Sequence, residues 1–234
     1  MQRDEGQAAR LSREAFAGTL QAAERNDAVA QMIVGTMYAD GLGVARDTTE
    51  ALRWLHKAAD QNLPLAEADL GVMYENGQGV PMDLSEAAKW FWEAAAQNSA
   101  MAQAYLGDLY YEGRGVARNE VEAVRLYRLS AGQNFAHGQT NLGYMFEHGC
   151  VVEWNPCEAV RLYRLAAEQN FAVAQANLGT MYQKGCGVIQ DLNEAAKWYQ
   201  LAAAQGDANA IEALRCLACP TYYNCRPLVT SWCR

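Results

Sequence analysis

The sequence predicts an all-α fold made of tandem helix-turn-helix repeats, and three observations predict it. A glycine follows an aliphatic residue every 36 residues, four of the five intervals contain a turn with two glycines, and every interval contains a helix-start motif. A fixed period of about 20 to 50 residues is typical of stacked repeat proteins. Five copies follow one another without insertion, at 27–62, 63–98, 99–134, 135–170 and 171–206.

The first helix of each repeat contains the recurring glycine. A glycine inside a helix costs about 1 kcal/mol relative to alanine, so its recurrence needs a compensating gain. The missing side chain lets a neighbouring helix approach closely, and we expect that contact to offset the cost. The five positions are Gly35, Gly71, Gly107, Gly143 and Gly179.

A glycine pair around one residue ends this first helix, because glycine readily takes the left-handed conformation of a helix stop. Four copies contain the pair, at Gly41 and Gly43, Gly77 and Gly79, Gly113 and Gly115, and Gly185 and Gly187. In the fourth copy Val151 stands in place of the second glycine. We therefore expect the turn of that copy to be reshaped.

The second helix opens with Asp or Asn followed three residues later by Glu, which predicts a capping box. The glutamate would then reach back to the amide of the capping residue. A basic residue follows each glutamate by three positions, which predicts a row of i, i+3 ion pairs on a solvated face. The basic residues are Arg53, Lys89, Arg125, Arg161 and Lys197.

The combined pattern, L-G-x-x-Y/F-x-x-G-x-G-V followed by D/N-x-x-x-A-x-x-W/L-Y/F-x-x-A-A, resembles the Sel1-like repeat, a relative of the tetratricopeptide repeat. The resemblance implies a right-handed superhelical solenoid of helix-turn-helix repeats. It also implies terminal segments that act as atypical caps. We accordingly expect an N-terminal capping helix at 1–26, five repeats at 27–206, and a C-terminal capping helix with a cysteine-rich tail at 207–234.

Charge and composition narrow the class of partner. A net charge of -8 and a pI near 4.9 argue against nucleic acid and against an anionic membrane surface, since both select clustered Lys and Arg. No apolar stretch is long enough to span a bilayer. The first residues lack the apolar core of a secretory leader. We expect a cytoplasmic location for the chain as given, or a periplasmic or secreted one if a leader has been removed.

Members of this family usually serve as adaptors for other proteins, and the resemblance places the binding surface on the inner, concave face formed by the first helices. The side chains expected there are acidic and aromatic, include Asp40 and His137, and contain one lysine, Lys184. They form either a site for a basic or mixed peptide or protein, or an ordinary solvated face. The candidate partner-binding residues are Asp69, Glu75, Tyr105, Asp108, Tyr111, Glu112, Tyr144, Glu147 and His148.

No catalytic or cofactor-binding motif occurs, so we expect no enzyme activity and no cofactor. Four cysteines lie close together near the end of the chain, where they could form disulfides, hold zinc as weak candidate ligands, or remain thiols. They are Cys216, Cys219, Cys225 and Cys233.

The sequence thus favours a non-catalytic scaffold or adaptor that binds a protein or peptide. One alternative is an immunity or inhibitor protein that blocks a bacterial toxin or effector enzyme with the same surface. Another is structural assembly through pairing of two chains. A β-lactam-binding hydrolase of the cysteine-rich subgroup is disfavoured, because the first three repeats contain no cysteine.

Overall fold

A computed structural model describes residues 2–218 of the chain. Within this range the structure contains twelve helices and no strand. The helices are α1 (Gln2–Glu24), α2 (Ala28–Asp40), α3 (Thr48–Ala59), α4 (Pro64–Asn76), α5 (Leu84–Ala96), α6 (Ala100–Glu112), α7 (Glu120–Gly132), α8 (Ala136–His148), α9 (Pro156–Glu168), α10 (Ala172–Lys184), α11 (Leu192–Ala204) and α12 (Ala208–Ala218).

The chain divides into two compact units after Asn119, with α1–α6 in the first and α7–α12 in the second. Within each unit every helix packs against the next one along the chain. First helices of successive repeats also contact each other, α4 with α6 in the first unit and α10 with both α8 and α12 in the second. The predicted all-α class and the stacking of helix pairs are confirmed.

The recurring glycines lie where two helices of one repeat meet. A β-carbon added to Gly143 would lie 2.8 Å from the ring of Tyr163, and one added to Gly179 would lie 2.8 Å from the ring of Tyr199. At Gly35 the nearest atom is Cγ of Leu55, also at 2.8 Å. The large residue of the second helix occupies the space of the missing side chain. The prediction of close helix approach at these glycines is confirmed.

The turn of the fourth copy differs from the prediction. Val151 adopts the left-handed conformation, with φ of 63°, that glycines adopt in the other copies. The hydrogen bonds are also kept: Cys150 N–H donates to Met145 O at 3.1 Å, as Cys186 N–H donates to Met181 O at 3.1 Å. The prediction of a reshaped turn is therefore wrong. The packing of the helices on either side maintains the turn, and Val151 takes a conformation that is unfavourable for a β-branched residue.

The helix caps follow half of the predicted capping box. The carboxylate of Asp191 accepts hydrogen bonds from the amides of Asn193 and Glu194, at 2.9 and 3.0 Å, and Asp47, Asp83 and Asn155 cap their helices similarly. The amide of the capping residue, however, donates to a carbonyl of the preceding helix. Asp191 N–H, for example, donates to Tyr182 O at 3.1 Å, so no capping glutamate is needed for it.

The capping glutamates instead pair with the basic residue three positions later. Arg161 lies 2.6 Å from Glu158, and its hydrogen bond holds the pKa of that carboxyl below its usual value. The same pairing occurs in all five repeats, so the predicted row of ion pairs is confirmed. The other four pairs are Glu50 with Arg53, Glu86 with Lys89, Glu122 with Arg125 and Glu194 with Lys197.

A buried glutamine near the start of the first helix connects neighbouring helix pairs, and the sequence analysis did not identify it. Gln175 Nε2 donates to Asn170 Oδ1 at 3.2 Å and to Ala167 O at 3.2 Å, while Gln175 Oε1 accepts from Gln205 Nε2 at 2.8 Å. Asparagines in the left-handed conformation occupy the position of Asn170 after α1, α3, α5 and α7, and Gly206 occupies it after α11. Glutamine occupies the position of Gln175 in three other copies, at Gln31, Gln103 and Gln139.

The N-terminal helix α1 covers the first repeat. Its Phe16, Leu20 and Ala23 pack with Val34 of α2 and Trp54 of α3. Phe16 and Tyr38 meet edge to face, with ring centroids 5.3 Å apart. The helix thus provides an apolar neighbour for the first repeat, as expected of a terminal cap. The predicted segment boundaries remain predictions, and most of the cysteine-rich tail lies outside the described residues.

Candidate functional site

The first unit gathers carboxylates from three first helices. Asp40 ends α2, Asp69 and Glu75 belong to α4, and Asp108 and Glu112 belong to α6. The half-buried Asp69 shows the effect of this gathering: burial, and secondly the charge of Asp40, raise its pKa to about 6. The predicted carboxylates of the first unit therefore lie close enough to influence one another, Asp40 acting on Asp69 and Asp108 on Glu75.

A basic residue that the sequence analysis did not include lies beside these carboxylates. Arg114 stands between the two turn glycines after α6, and its guanidinium contacts Glu75 at 2.6 Å and Glu112 at 2.5 Å. Burial raises the pKa of Glu75, and Arg114 opposes that rise. The sequence analysis counted only positions within the first helices, so it did not include this turn residue beside the carboxylates. The feature of the sequence that could have identified Arg114 is the residue between the two turn glycines, because its type differs from copy to copy.

Tyr105 adds an aromatic surface to the acidic group. Its ring stacks on Phe91 of α5, with centroids 5.4 Å apart and planes 9° apart. Burial raises the pKa of Tyr105, and the charges of Glu75 and Asp108 raise it further. The structure thus brings these predicted residues together around one half-buried phenol. Tyr111, further along α6, is half-buried with the guanidinium of Arg118 5.9 Å from its ring.

Exposed aliphatic side chains lie nearer the N-termini of two of the helices that carry these carboxylates. Val29 and Ile33 of α2 are 51% and 38% exposed, and Leu65 of α4 is 52% exposed. Val29 and Leu65 occupy the third position of their repeats, a position that the resemblance places on the inner face. The sequence analysis described that face as acidic and aromatic and did not include these apolar residues. The face of the first unit is therefore mixed.

The second unit contains the remaining predicted residues. Tyr144 and His148 of α8 stack, with ring centroids 4.1 Å apart, and both are exposed. Glu147 accepts a hydrogen bond from the buried Tyr163 hydroxyl at 2.8 Å and lies 4.0 Å from Lys184 Nζ. Burial and the neighbouring Glu147 raise the pKa of Tyr163 well above its usual value. Glu147 therefore stabilises the repeat, and Tyr144 and His148 are the accessible members of this group.

Among the described residues, no group of three or more His, Cys, Asp or Glu side chains could hold a metal ion. Of the weak zinc candidates, Cys216 is half-buried in α12, and Cys219, Cys225 and Cys233 lie outside the described residues. No helix within 2–218 has the length and apolar character needed to cross a membrane.

Comparison with known proteins gives one family. The Sel1 repeat model matches five consecutive segments, at 28–63, 64–99, 100–135, 136–171 and 172–207. Among proteins with curated descriptions, none matches this chain.

Solved structures of similar proteins share the fold. A Sel1 repeat protein from Oxalobacter formigenes is 32% identical, with a TM-score of 0.78, over 88% of this chain and 82% of its own. A protective antigen of uropathogenic Escherichia coli with an SLR fold is 34% identical, with a TM-score of 0.70, over 91% of this chain and 49% of its own. This chain thus spans about half of that antigen. An immunity protein from Pseudomonas aeruginosa is 22% identical, with a TM-score of 0.57, over 83% of this chain and 75% of its own.

Proposed function

Because this chain belongs to the Sel1 repeat family, we propose that it is a non-catalytic scaffold that binds a protein or peptide through the faces of its first helices. The observation that carries the proposal is that successive first helices place carboxylates, such as Asp40 and Asp69, on the same helices as exposed apolar side chains such as Leu65. The pKa of Asp69, which burial and the carboxylate of Asp40 raise, supports it. A carboxylate in this setting gains stability when a cation approaches. A lysine or arginine of a partner would supply that cation.

Charge favours a basic or mixed partner for the first unit. Arg114 offsets the charges of Glu75 and Glu112, whereas the causes of the Asp69 shift include no cation. Complementary charge across an interface accelerates encounter and selects among partners more than it adds affinity. The acidic group is therefore suited to choosing a basic partner.

Apolar and aromatic contacts would supply most of the affinity. Tyrosine provides large contact area at low entropic cost, and buried apolar surface contributes about 25 cal/mol per Å². Tyr105, whose ring stacks on the buried Phe91, and the exposed Val29, Ile33 and Leu65 offer such area in the first unit. Tyr144 and His148 offer it in the second. We therefore infer that a partner presents both basic and apolar side chains.

The test is quantitative binding of the partner identified by pull-down from the native host. The double variant Tyr111→Ala with Tyr144→Ala should abolish capture, and Asp69→Lys should weaken it and reduce its dependence on salt. Trp92→Ala is the matched aromatic control, because Trp92 is 56% exposed on the second helix α5. Circular dichroism should stay largely unchanged in all of these variants, and melting should stay largely unchanged in the tyrosine double variant. If the tyrosine double variant and the aspartate variant both bound with wild-type affinity, the interface would lie elsewhere on the chain.

Immunity is the second candidate function, and the fold shared with the immunity protein from Pseudomonas aeruginosa supports it. An acidic face that selects basic partners would equally suit the blocking of a toxin with a basic active site. Co-expression with a toxic enzyme encoded by a neighbouring gene distinguishes the two candidates. Growth restored by the wild-type chain but not by Asp69→Lys would favour immunity, whereas growth arrest with both would favour an adaptor.

A further inference from the structure

One repeat has a carboxylate where the others have the buried glutamine. Glu67 of α4 occupies this position in the second copy, and its side chain is only 4% exposed. Its oxygens accept hydrogen bonds from Gln97 Nε2 at 2.9 and 2.7 Å. Gln205 makes the equivalent bond to Gln175. Glu67 therefore keeps the bond that the buried glutamines accept from the glutamine thirty positions later.

The other half of the network requires a donor, which an ionised carboxylate lacks. The glutamine amides donate to the asparagine five residues earlier, as Gln139 Nε2 does to Asn134 Oδ1 at 2.8 Å. Gln31, Gln103 and Gln175 also donate to an alanine carbonyl eight residues earlier. The equivalents for Glu67 are Asn62, in the same left-handed conformation, and the carbonyl of Ala59. Within 2–218 no hydrogen bond joins Glu67 to Asn62 or to Ala59 O, and the charged form of Glu67 has no hydrogen to donate to that carbonyl.

The surroundings of Glu67 also disfavour its charge. Burial raises the pKa of Glu67, the hydrogen bond from Gln97 lowers it, and the carboxylate of Glu93 on α5 raises it again, with a net rise above 4.5. Helices α3 and α6 also pack against α4, and among the described residues they contribute no charged group to this shift. No cation therefore compensates the buried carboxylate.

We propose that Glu67 makes the junction of α3, α4 and α5 sensitive to pH. In acid the carboxyl takes up a proton from solvent, and its O–H donates to Asn62 Oδ1 or Ala59 O while its other oxygen still accepts from Gln97. The junction then has the bonding that glutamine gives the other repeats. Near neutral pH the proton is lost, the carboxylate has no hydrogen to donate to Ala59 O, and the junction loosens.

The direction in which stability changes with pH follows from the number of protons bound in the folded and unfolded states. A carboxyl whose folded-state pKa is raised binds more protons in the folded state, so stability falls as pH increases. Full stabilisation is present below the ordinary value of 4.5 and is lost as the pH rises through the higher folded-state pKa.

Hydrogen exchange measured by mass spectrometry tests the proposal on the full chain. Protection of the amides at 59–68, corrected for the intrinsic pH dependence of exchange, should fall about three- to tenfold relative to 167–176 between pH 5 and pH 7.5. In an Asp69→Asn background, which removes the titration of Asp69 on the same helix, Glu67→Gln should abolish this difference and raise protection at pH 7.5. Glu168→Gln, which removes an exposed carboxylate, should leave it unchanged.

The reverse substitution keeps the test decisive if Glu67→Gln folds poorly. Gln175→Glu should give the segment 167–176 the same pH dependence, because Asn170, Ala167 and Gln205 surround it in the same way. Equal protection at pH 5 and pH 7.5 in the wild type, or pH dependence that survives Glu67→Gln in the Asp69→Asn background, would overturn the proposal. A Gln175→Glu chain without pH dependence would overturn it as well.

Discussion

Gly71 of α4 lies directly against the ring of Phe91 of α5, and a β-carbon on Gly71 would be 2.5 Å from both Cδ1 and Cε1 of that ring. No real β-carbon approaches an atom so closely, so any other residue would push the two helices of the repeat apart. Phe91 is fully buried and also stacks on Tyr105, which belongs to the candidate binding face. The helix glycine therefore positions both the core and a surface tyrosine.

Gly71→Ala should destabilise the chain by about 1 to 3 kcal/mol, because an added methyl group overpacks a rigid aromatic contact. Gly18→Ala is the matched control: Gly18 is inside α1 with nothing within 4 Å of an added β-carbon. That control should gain up to about 1 kcal/mol from helix propensity. Urea denaturation of both variants measures the difference, and a neutral Gly71→Ala would contradict the close contact.

Val151→Gly should stabilise the chain by about 1 kcal/mol, because the left-handed conformation that costs valine energy costs glycine almost none. The valine is half exposed, at 50%, so little buried apolar area is lost. Gly187→Val is the reverse control, and it should destabilise, since a β-carbon there would meet Pro156 O at 2.2 Å. Thermal unfolding checks both; a lower Tm for Val151→Gly would show that the valine is not strained.

Gln139→Leu should cost about 1 to 3 kcal/mol, the range expected when buried polar partners are left without a bond. Gln139 donates to Asn134 at 2.8 Å and accepts from Gln169 at 2.8 Å, and the leucine can do neither. Gln200→Leu, on the exposed side of α11, should change stability by less than about 0.5 kcal/mol. Denaturation midpoints that agree between the two variants would refute a structural role for the buried amide.

Asp69→Asn should stabilise the free chain at pH 7.5 by about 1 to 3 kcal/mol, since a pKa raised from 3.8 to about 6 penalises the ionised folded state. Stability of the wild type falls as the pH rises from 3.8 toward 6, so the advantage of asparagine should shrink in acid. Denaturation at several pH values measures the advantage, and NMR titration locates the midpoint. A carboxyl that titrates near 3.8 would contradict the raised pKa.

Helix caps should matter more than the surface ion pairs. Asp191→Ala removes the acceptor for two amides at the start of α11 and should cost about 1 kcal/mol. Arg161→Ala removes an exposed partner of Glu158 and should cost less than about 0.5 kcal/mol. The experiment compares the loss of stability in the two variants, measured from the midpoints of urea denaturation. Equal losses would mean that the ion pairs contribute more than their exposure indicates.

Periodic features could be predicted from the sequence because the repeat makes each one visible several times. The packing glycines, such as Gly143 and Gly179, and the ion pairs, such as Glu158 with Arg161, lie where the pattern indicates. The same periodicity led to a wrong prediction at Val151, because the residue that departs from the glycine pattern indicated a reshaped turn. Tertiary packing holds the backbone there despite the residue type.

Features that depend on a partner from another helix were harder to predict. Arg114 belongs to a turn, and only the fold shows that it reaches Glu75. The buried glutamines are polar residues beside alanines, and nothing local indicates that Gln175 will meet Gln205 thirty positions later. The second arm of the capping box failed for the same reason, since Tyr182 O already accepts from the amide of Asp191.

The buried amide network also has an evolutionary consequence. Asn134 bonds to Gln139 and Gln169 in the way that Asn170 bonds to Gln175 and Gln205. In-frame loss of 135–170 would therefore join Asn134 to a module with matching amides, and a duplication would lengthen the chain equally well. Unequal recombination at this boundary can thus change the number of repeats encoded by the gene while every junction keeps its asparagine and glutamine hydrogen-bond partners.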